Sequence, residues 1–242
     1  SSDVCSSDLD NYDPVARTYA GIWIGGFKSS WTNNPAWIFR ALVKNSRYGL
    51  AKRAGYVDVD DGSLYVLSQF CDQLVDDGYG GQEPRFTLNA YITEQKSARD
   101  LLDDIAGMFR GIALWDGIRF SVMLDNPQDP VASITNANVV DGVFTYSSMK
   151  RSERYNAVVV SWTDPNNGWE QVKEYVSDDE MIDRYGYNET TMEAFGCTSR
   201  GQAFRTGKWM LETARRETKK VTFKMAREAI RFLPGEDRKS VV

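Results

Sequence analysis

Apolar residues recur at helical spacing in four long stretches of the chain. In "NNPAWIFRALVKN", Asn34 is placed to cap a helix and Pro35 to fill its first helical position, which predicts a helix running to about Lys44. Residues 97–109 and 199–218 predict two further helices. The stretch "DVDDGSLYVLSQFCDQLVDDGYGG" predicts another, with an apolar face made by Leu64, Leu67, Cys71, Leu74 and Val75.

Runs with strand character lie between and after these helices. Residues 19–27, "YAGIWIGGF", are interpreted as a strand despite their glycines, and apolar side chains alternate along residues 85–92, "RFTLNAYI". "GIALWDGIRFSVML" predicts a hairpin that turns at Asp116 and Gly117, a dipeptide favoured in two-residue turns. From Gly142 onward strands dominate, with the runs "GVFTYSS", "YNAVVVSW", "WEQVKEYV" and "KKVTFKMA".

This mixture of elements favours the α+β class. Helices and strands follow one another without a regular βαβ repeat, so we expect mainly antiparallel strands and hairpins with several packed amphipathic helices. Ser177 and Glu180 have the spacing of a capping box, which predicts a short helix ending near Tyr185. With 42% hydrophobic and 26% charged residues, the composition is that of a globular protein.

The two ends of the chain differ from the rest. Near the start, "SDVCSSDL" matches the translation of a common short-read sequencing adapter, and the final "DRKSVV" matches the opposite adapter. We therefore interpret residues 1–9, including Cys5, and residues 237–242 as adapter-derived artefacts. The remainder is expected to be a window cut from a longer protein, divided into an α+β region at 10–141 and a truncated, β-rich region with one long helix at 142–236.

Composition excludes several classes of function. The net charge is −5, and no run of Lys or Arg exceeds two residues, so we expect no specific nucleic-acid binding. No apolar run approaches the ~18 residues of a membrane helix, so we expect no membrane insertion. The chain contains no histidine, which excludes His-based general bases, Ser-His and Cys-His dyads and most zinc or iron sites.

Two cysteines remain as candidate nucleophiles. Cys197 lies in "AFGCTSRGQ", a small-residue turn just before a predicted helix, which is a common setting for a reactive thiol. No histidine exists to take its proton, so we favour a structural role in which Thr198 or Ser199 caps the helix and Cys197 packs beside Phe195. Cys71 falls on an apolar helix face and is predicted to lie in the core.

Two loops resemble ligand-binding motifs only partly. Asp58–Gly62, "DVDDG", is one residue short of a calcium-loop spacing, and its twelfth position is Gln69 rather than Glu. Residues 78–81, "GYGG", lack the Lys-Ser/Thr that follows a phosphate-binding loop. We interpret the first as acidic residues at a helix start and the second as a plain loop.

Adjacent carboxylates are the last candidates for chemistry. Two convergent carboxylates would suit a glycosidase. Neighbouring residues on a helix do not share a face, however, so solvated surfaces and helix ends explain these pairs better. We therefore predict no catalytic, cofactor-binding or metal-binding residues and no cofactor. The pairs are Asp76/Asp77, Asp103/Asp104 and Asp178/Asp179.

Five stretches resemble one known family. They are "NPAWIFRALVKNSRYGL", "FCDQLVDDGYGGQEPRFTLNAYI", "MFRGIALWDGIRF", "RYNAVVVSWTDPNNGWEQVKEYV" and "AFGCTSRGQAFRTGKWMLETARRET". In this order they resemble the tip attachment protein J (host-specificity protein J) family of lambda-like tailed phages, over about residues 33–235. "FLPGE" resembles the start of a further family strand. The resemblance implies the central part of a large trimeric hub that closes the distal end of the tail tube, and no family catalytic residue carries over.

The resemblance also sets the expected function. It implies a virion structural protein of the tail tip, made in the bacterial host cytoplasm, that assembles as a homotrimer with other tail-tip and tail-tube proteins and helps connect the tube to host-recognition parts. An enzyme is not expected. The alternative is a tail-associated peptidoglycan hydrolase using paired carboxylates. A small-molecule or carbohydrate-binding module is a third possibility, and it rests only on the 12% aromatic content.

Overall fold

The computed structural model describes most of the chain in two compact units. The described residues are 7–14, 16–47, 49–92, 96–124, 132–148, 150, 154–232 and 238–240. The first unit comprises residues 1–124, 162–172 and 193–203, and the second comprises 125–161, 173–192 and 204–242. The division of the chain predicted from sequence, with its boundary after residue 141 and its foreign ends, stays a prediction.

Helices and strands are mixed, which confirms the α+β class. The α-helices are α1 Pro35–Lys44, α2 Ala51–Ala54, α3 Asp61–Asp72, α4 Ala98–Met108, α5 Asp179–Tyr185 and α6 Arg200–Arg216. Short 3-10 turns lie at Asn136–Asn138, Val140–Gly142, Pro165–Asn167 and Arg227–Arg231. The strands are β1 Ser7–Leu9, β2 Tyr12–Asp13, β3 Thr18–Tyr19, β4 Phe27–Ser29, β5 Asp58–Val59, β6 Leu74–Asp76, β7 Gln82–Pro84, β8 Gly111–Trp115, β9 Arg119–Leu124, β10 Ala132–Ile134, β11 Phe144–Ser148, β12 Ala157–Asp164, β13 Glu170–Ser177, β14 Glu189–Glu193, β15 Lys219–Phe223 and β16 Arg238–Ser240.

The strands form small sheets rather than one continuous layer. Two sheets have three strands, in the orders β5-β9-β8 and β13-β12-β14. The pairs β1-β4, β2-β3, β6-β7 and β11-β15 are antiparallel, whereas β10-β16 is parallel. In the first three-stranded sheet β8 and β9 form an antiparallel hairpin and β5 runs parallel to β9.

Helices α1, α3 and α4 build the core of the first unit together with the β8–β9 hairpin. As predicted, Asn34 caps α1, its Oδ1 accepting from the N–H of Ala36 at 3.0 Å. The predicted helix at 97–109 is likewise present as α4, capped by Ser97. The buried faces of these elements form one continuous core of apolar side chains. It includes Trp37, Phe39, Val43, Leu64, Leu67, Leu102, Ile105, Phe109 and Phe120.

The strand predicted at residues 19–27 is wrong. Only the ends of this stretch pair, in β3 and β4, because Gly21 and Gly25 take φ values of 69° and 95° and turn the chain between them. Trp23 anchors the resulting loop by stacking on Tyr65 with ring centroids 5.0 Å apart. Local strand propensity is therefore overridden by two glycine turns and by the packing of one partly buried ring.

The helix predicted from residue 58 is shorter than expected. Helix α3 ends at Asp72, and Leu74 and Val75 belong to β6, which pairs with β7. Leu74 is exposed rather than part of the apolar helix face. The hairpin removes these two residues from the helix, although their spacing continues its pattern.

The second unit contains residues 204–216 of α6 and the antiparallel pair β11-β15. Gly207 of α6 lies so close to Val176 that a Cβ would be 2.7 Å from its Cγ2, and 3.2 Å from Cγ2 of Val160. Helix α5 is capped by Asp178, whose carboxylate accepts from the N–H of Met181 at 3.2 Å. The capping box predicted from Ser177 is therefore wrong by one position.

Candidate functional site

The stretch around Cys197 buries its thiol instead of displaying it. Cys197 is 1% exposed, and its Sγ lies 3.2 Å from the carbonyl oxygen of Ser199. The Cys197 carbonyl accepts from the N–H of Thr163 at 3.1 Å. A thiol buried in this way lacks the solvent access of a reactive cysteine.

The same stretch binds the extended segment 85–89 through side chains. Gln202, which is 2% exposed, accepts from the N–H of Thr87 at 3.1 Å and donates to its carbonyl at 3.2 Å. Asn89 donates its backbone N–H to Gly196 O at 2.9 Å and its side-chain amide to Thr198 Oγ1 at 2.8 Å. The strand predicted at residues 85–92 is wrong: Phe86 and Leu88 are buried, but Ala90 and Ile92 are exposed, and loops and side chains satisfy this backbone instead of a neighbouring strand.

The start of α6 completes this contact, which we call the 196–202 junction. Ser199 Oγ donates to the Glu83 carboxylate and accepts from the N–H of Gln202 at 3.3 Å. A Cβ on Gly201 would lie 2.6 Å from Glu83 Oε1 and 2.8 Å from the carbonyl oxygen of Asp77. The residues of "AFGCTSRGQ" therefore serve close packing and helix capping. Sequence reasoning anticipated the cap but missed Gln202 and Glu83.

A buried polar network holds the first strands of the first unit against α1 and α3. Asp72, 5% exposed, accepts from Arg17 Nη1 at 3.0 Å, from the Tyr19 hydroxyl at 2.7 Å and from Asn34 Nδ2 at 2.9 Å. Burial raises the pKa of Tyr19, so its hydroxyl stays protonated and donates. The sequence did signal this site, because Asp72 stands eight residues after Leu64 on an otherwise apolar helix face.

The acidic residues of Asp58–Gly62 pair with arginine side chains of this chain or cap helix α3. Asp58 lies 3.1 Å from Arg119 Nε, and the N–H of Val59 together with this guanidinium holds the pKa of Asp58 below its usual value. Asp61 binds Arg40 Nε at 2.6 Å. Asp60 caps α3 by accepting from Gly62 at 3.2 Å. These contacts fit the predicted role of acidic residues at a helix start.

The glycine loop at 78–81 closes the β6–β7 hairpin. Asp77 Oδ1 accepts from the N–H groups of Tyr79 at 2.7 Å and of Gly81 at 2.9 Å, and Asp76 Oδ1 accepts from Gly78 at 2.7 Å. The N–H groups that would cradle a phosphate are thus bound to the protein's own carboxylates. The loop interpretation stands on this geometry.

The carboxylates of the other adjacent pairs each contact a different group. Asp103 pairs with Arg99 at 3.0 Å and Asp104 with Lys96 at 3.3 Å, both at exposed positions. Asp178 caps α5, whereas Asp179 accepts from the Ser177 hydroxyl at 2.9 Å. Each member of a pair faces its own partner. Cys71 is fully buried, and burial raises the pKa of its thiol well above the ordinary value.

Neither a metal-binding cluster nor a membrane-spanning helix is found among the described residues. Those residues include no group of three or more Cys, Asp and Glu side chains arranged to hold a metal ion. No described helix combines the length and apolar composition needed to cross a bilayer.

The comparison with protein families decides the relationship. The family described as "Putative phage tail protein" matches residues 97–236, more than half of the chain. The chain belongs to this phage tail protein family. The match takes in the β8–β9 hairpin, the second three-stranded sheet and α6, together with the 196–202 side of the junction.

Two curated relatives agree with this assignment and confirm the resemblance noted from sequence. Tip attachment protein J of Escherichia phage SECphi27 is 43% identical over 208 residues, 86% of this chain and 17% of that protein. Tip attachment protein J of Escherichia phage SECphi4 is 36% identical over 227 residues, 93% of this chain and 20% of that protein. This member of the phage tail family therefore spans about a fifth of the length of these relatives.

One solved structure shows a slight likeness. The 43 kDa tail protein of prophage MuSo2 from Shewanella oneidensis aligns with a TM-score of 0.43 and 14% identity, covering 86% of this chain and 52% of that chain. That similarity is too low to transfer structural or functional detail.

Proposed function

We propose that this chain is a structural part of a phage tail tip. In this proposal it belongs to the central hub that closes the distal end of the tail tube and helps connect the tube to host-recognition parts. The hub is a homotrimer in contact with other tail-tip and tail-tube proteins. It is made in the bacterial host cytoplasm and resides in the virion.

The relationship to the two tip attachment proteins J carries the proposal. Identity of 43% over 208 residues extends along 86% of the chain, so it concerns the folded body and not a short motif. The name of those relatives supports a location at the tail tip, and membership of the phage tail protein family supports a role in the tail.

The geometry of the chain's polar groups supports an assembly role over catalysis. Gln202, Glu83 and Ser199 are engaged in packing at the 196–202 junction. Asp72 is bound within a buried network. The adjacent carboxylates that a peptidoglycan hydrolase would need are turned to different partners. These groups stabilise the fold, and a rigid fold is what a tail component contributes.

A genetic replacement tests this proposal. The segment of the SECphi27 tip attachment protein J that aligns with this chain would be exchanged for residues 10–236, and a second phage would receive the same segment with Gln202→Ala and Gly201→Asp. The first exchange is expected to give complete tails that infect. The second is expected to give tails that lack a closed tip, because the junction no longer packs.

The enzymatic alternative has a separate readout. Purified chain incubated with peptidoglycan is expected to release no soluble fragments, and Asp103→Asn and Asp178→Asn variants are expected to behave identically. Release of fragments that either substitution abolishes would replace the structural proposal with the hydrolase.

A further inference from the structure

The antiparallel strands β11 and β15 form a two-stranded ribbon whose two faces differ in chemistry. One face is apolar, and on it the rings of Phe144 and Phe223 lie 5.4 Å apart. Side chains alternate along a strand, so the paired residues between these positions project from the opposite face. That face is exposed, and we call it the hydroxyl–lysine face. It consists of Thr145, Ser147, Lys220 and Thr222.

Positive charge continues beyond the end of the ribbon. Lys224 directly follows β15, and its carbonyl accepts from the N–H of Val140 at 2.8 Å, so the pairing of the two segments extends to this residue. Arg227 and Arg231 lie on the 3-10 turn that comes next, and the side chains of all three cations are exposed. Residues 218–231 hold five Lys or Arg and one Glu, a net charge of +4 in a chain whose net charge is −5.

These cations lack the anionic partners that other cations of the chain have. Arg216 pairs with Glu212 within α6, and Arg99 pairs with Asp103 within α4. Within the part of the chain that the structure describes, no cation of residues 218–231 forms an ion pair. Neither strand of the ribbon contains a carboxylate. This concentration of positive charge is therefore available to an anion from outside the chain.

The chemistry of the surface fits a row of phosphate groups. Lys, Arg, Ser and Thr are the side chains that commonly contact phosphate oxygens of nucleic acids, and the hydroxyl–lysine face combines three hydroxyls with an ammonium group. Lys220 and Lys224 are four residues apart, about 13 Å of extended chain. One strand of a DNA duplex presents about four phosphates over that length.

The shape of the ribbon argues against a membrane surface as the partner. Binding to a bilayer surface requires apolar side chains that enter the lipid beside the cations. The aromatic rings of the ribbon, Phe144, Tyr146 and Phe223, instead lie on the face opposite Lys220. A polyanion without an apolar layer is the partner that this arrangement fits.

We propose that the hydroxyl–lysine face, together with Lys224, Arg227 and Arg231, binds the phosphate backbone of duplex DNA. Contacts to phosphates hold a protein on a duplex without reading its bases, so the binding is independent of sequence. This activity is additional to the assembly role proposed above and does not depend on it.

Fluorescence anisotropy tests the proposal. Two labelled DNA duplexes of unrelated sequence are titrated with the 242-residue chain at several salt concentrations. Both duplexes are expected to bind with equal affinity. Each phosphate contact contributes about −0.9 to the slope of log affinity against log salt concentration, so four cations predict a slope of about −3.6.

Two double variants on different elements locate the site. Lys220→Gln with Lys224→Gln is expected to reduce the magnitude of the slope by about 2, because each lost phosphate contact removes about 1. Arg227→Gln with Arg231→Gln is expected to give the same reduction from the 3-10 turn. At about 0.1 M salt each removed cation is expected to weaken binding by about tenfold.

Lys96→Gln with Arg99→Gln is the matched control, because it removes the same charge from two exposed ion pairs at α4. It is expected to leave the slope unchanged, and far-UV circular dichroism establishes that all three variants fold. Absence of binding to both duplexes, a slope unchanged in both site variants, or an equal loss in the control would overturn the proposal. Tighter binding to vesicles of anionic phospholipid than to either duplex would also overturn it and would assign the surface to a membrane.

Discussion

Asp72 is the group whose replacement is expected to affect the first unit most strongly. Its carboxylate is 5% exposed and accepts from Arg17, Tyr19 and Asn34 at 3.0, 2.7 and 2.9 Å. Asp72→Asn keeps the size of the side chain but removes the charge and turns an amide N–H₂ group toward at least one existing donor. The change therefore tests whether this network stabilises the fold.

The expected cost follows from burial on both sides of the ion pair. Breaking a buried pair typically costs about 3–5 kcal/mol because one charge is left without its partner. The Arg17 side chain is 24% exposed, so water rehydrates part of it, and we expect the lower end, about 3 kcal/mol. That is a large share of the stability of a typical domain, which is about 5–15 kcal/mol.

Urea unfolding followed by tryptophan fluorescence measures this change, because Trp23 and Trp37 lie in the same unit as Asp72. The matched control is Asp104→Asn, whose carboxylate pairs with Lys96 at an exposed site and is expected to cost less than about 1 kcal/mol. A double-mutant cycle with Arg17→Met should give a coupling energy above about 1 kcal/mol. If Asp72→Asn costs no more than Asp104→Asn, the network does not stabilise the fold as described.

Three further predictions concern other positions. Gly207→Ala should lower the free energy of unfolding by about 1–3 kcal/mol, because the added Cβ overlaps Val176. Gly107→Ala, whose Cβ meets open space, should raise it by about 0.5–1 kcal/mol, and thermal melts of both variants measure the two changes. Burial raises the pKa of Asp8 from 3.8 to about 6, so the free energy of unfolding is highest below pH 4 and falls as the pH rises to 6. Asp8→Asn should remove this fall and be more stable than the unaltered chain at pH 7 by up to about 3 kcal/mol. Equal dependence of stability on pH in the two proteins would contradict this prediction. Gln202→Ala should speed hydrogen exchange in residues 85–89, and unchanged exchange there would show that the 196–202 junction does not hold this segment.

Local sequence signals predicted where two of the helices begin. Asn34 and Pro35 fixed the start of α1, and Ser97 fixed that of α4, because a cap depends only on residues within one turn. The hairpin at β8 and β9 was predicted in the same way, although Gly117 and Ile118 occupy the turn and Asp116 accepts from the N–H groups that follow it.

Long-range contacts explain what the sequence could not predict. The end of α3 depends on pairing between β6 and β7, so apolar spacing alone extended the helix into Leu74 and Val75. Gln202 reaches Thr87 across 115 positions of sequence, and no local pattern marks either residue as a partner of the other. Asp72 was missed as well, although a carboxylate on an apolar helix face indicates a buried partner.

Three-dimensional reconstruction of tail tips from the SECphi27 phage carrying residues 10–236 of this chain tests the central claim most directly. Three copies of the exchanged segment are expected around the tube axis at the distal end, each with the first unit folded around α1, α3 and α4. Complete tails in which the exchanged segment is absent from the tip, or lies there in a number other than three, would contradict it.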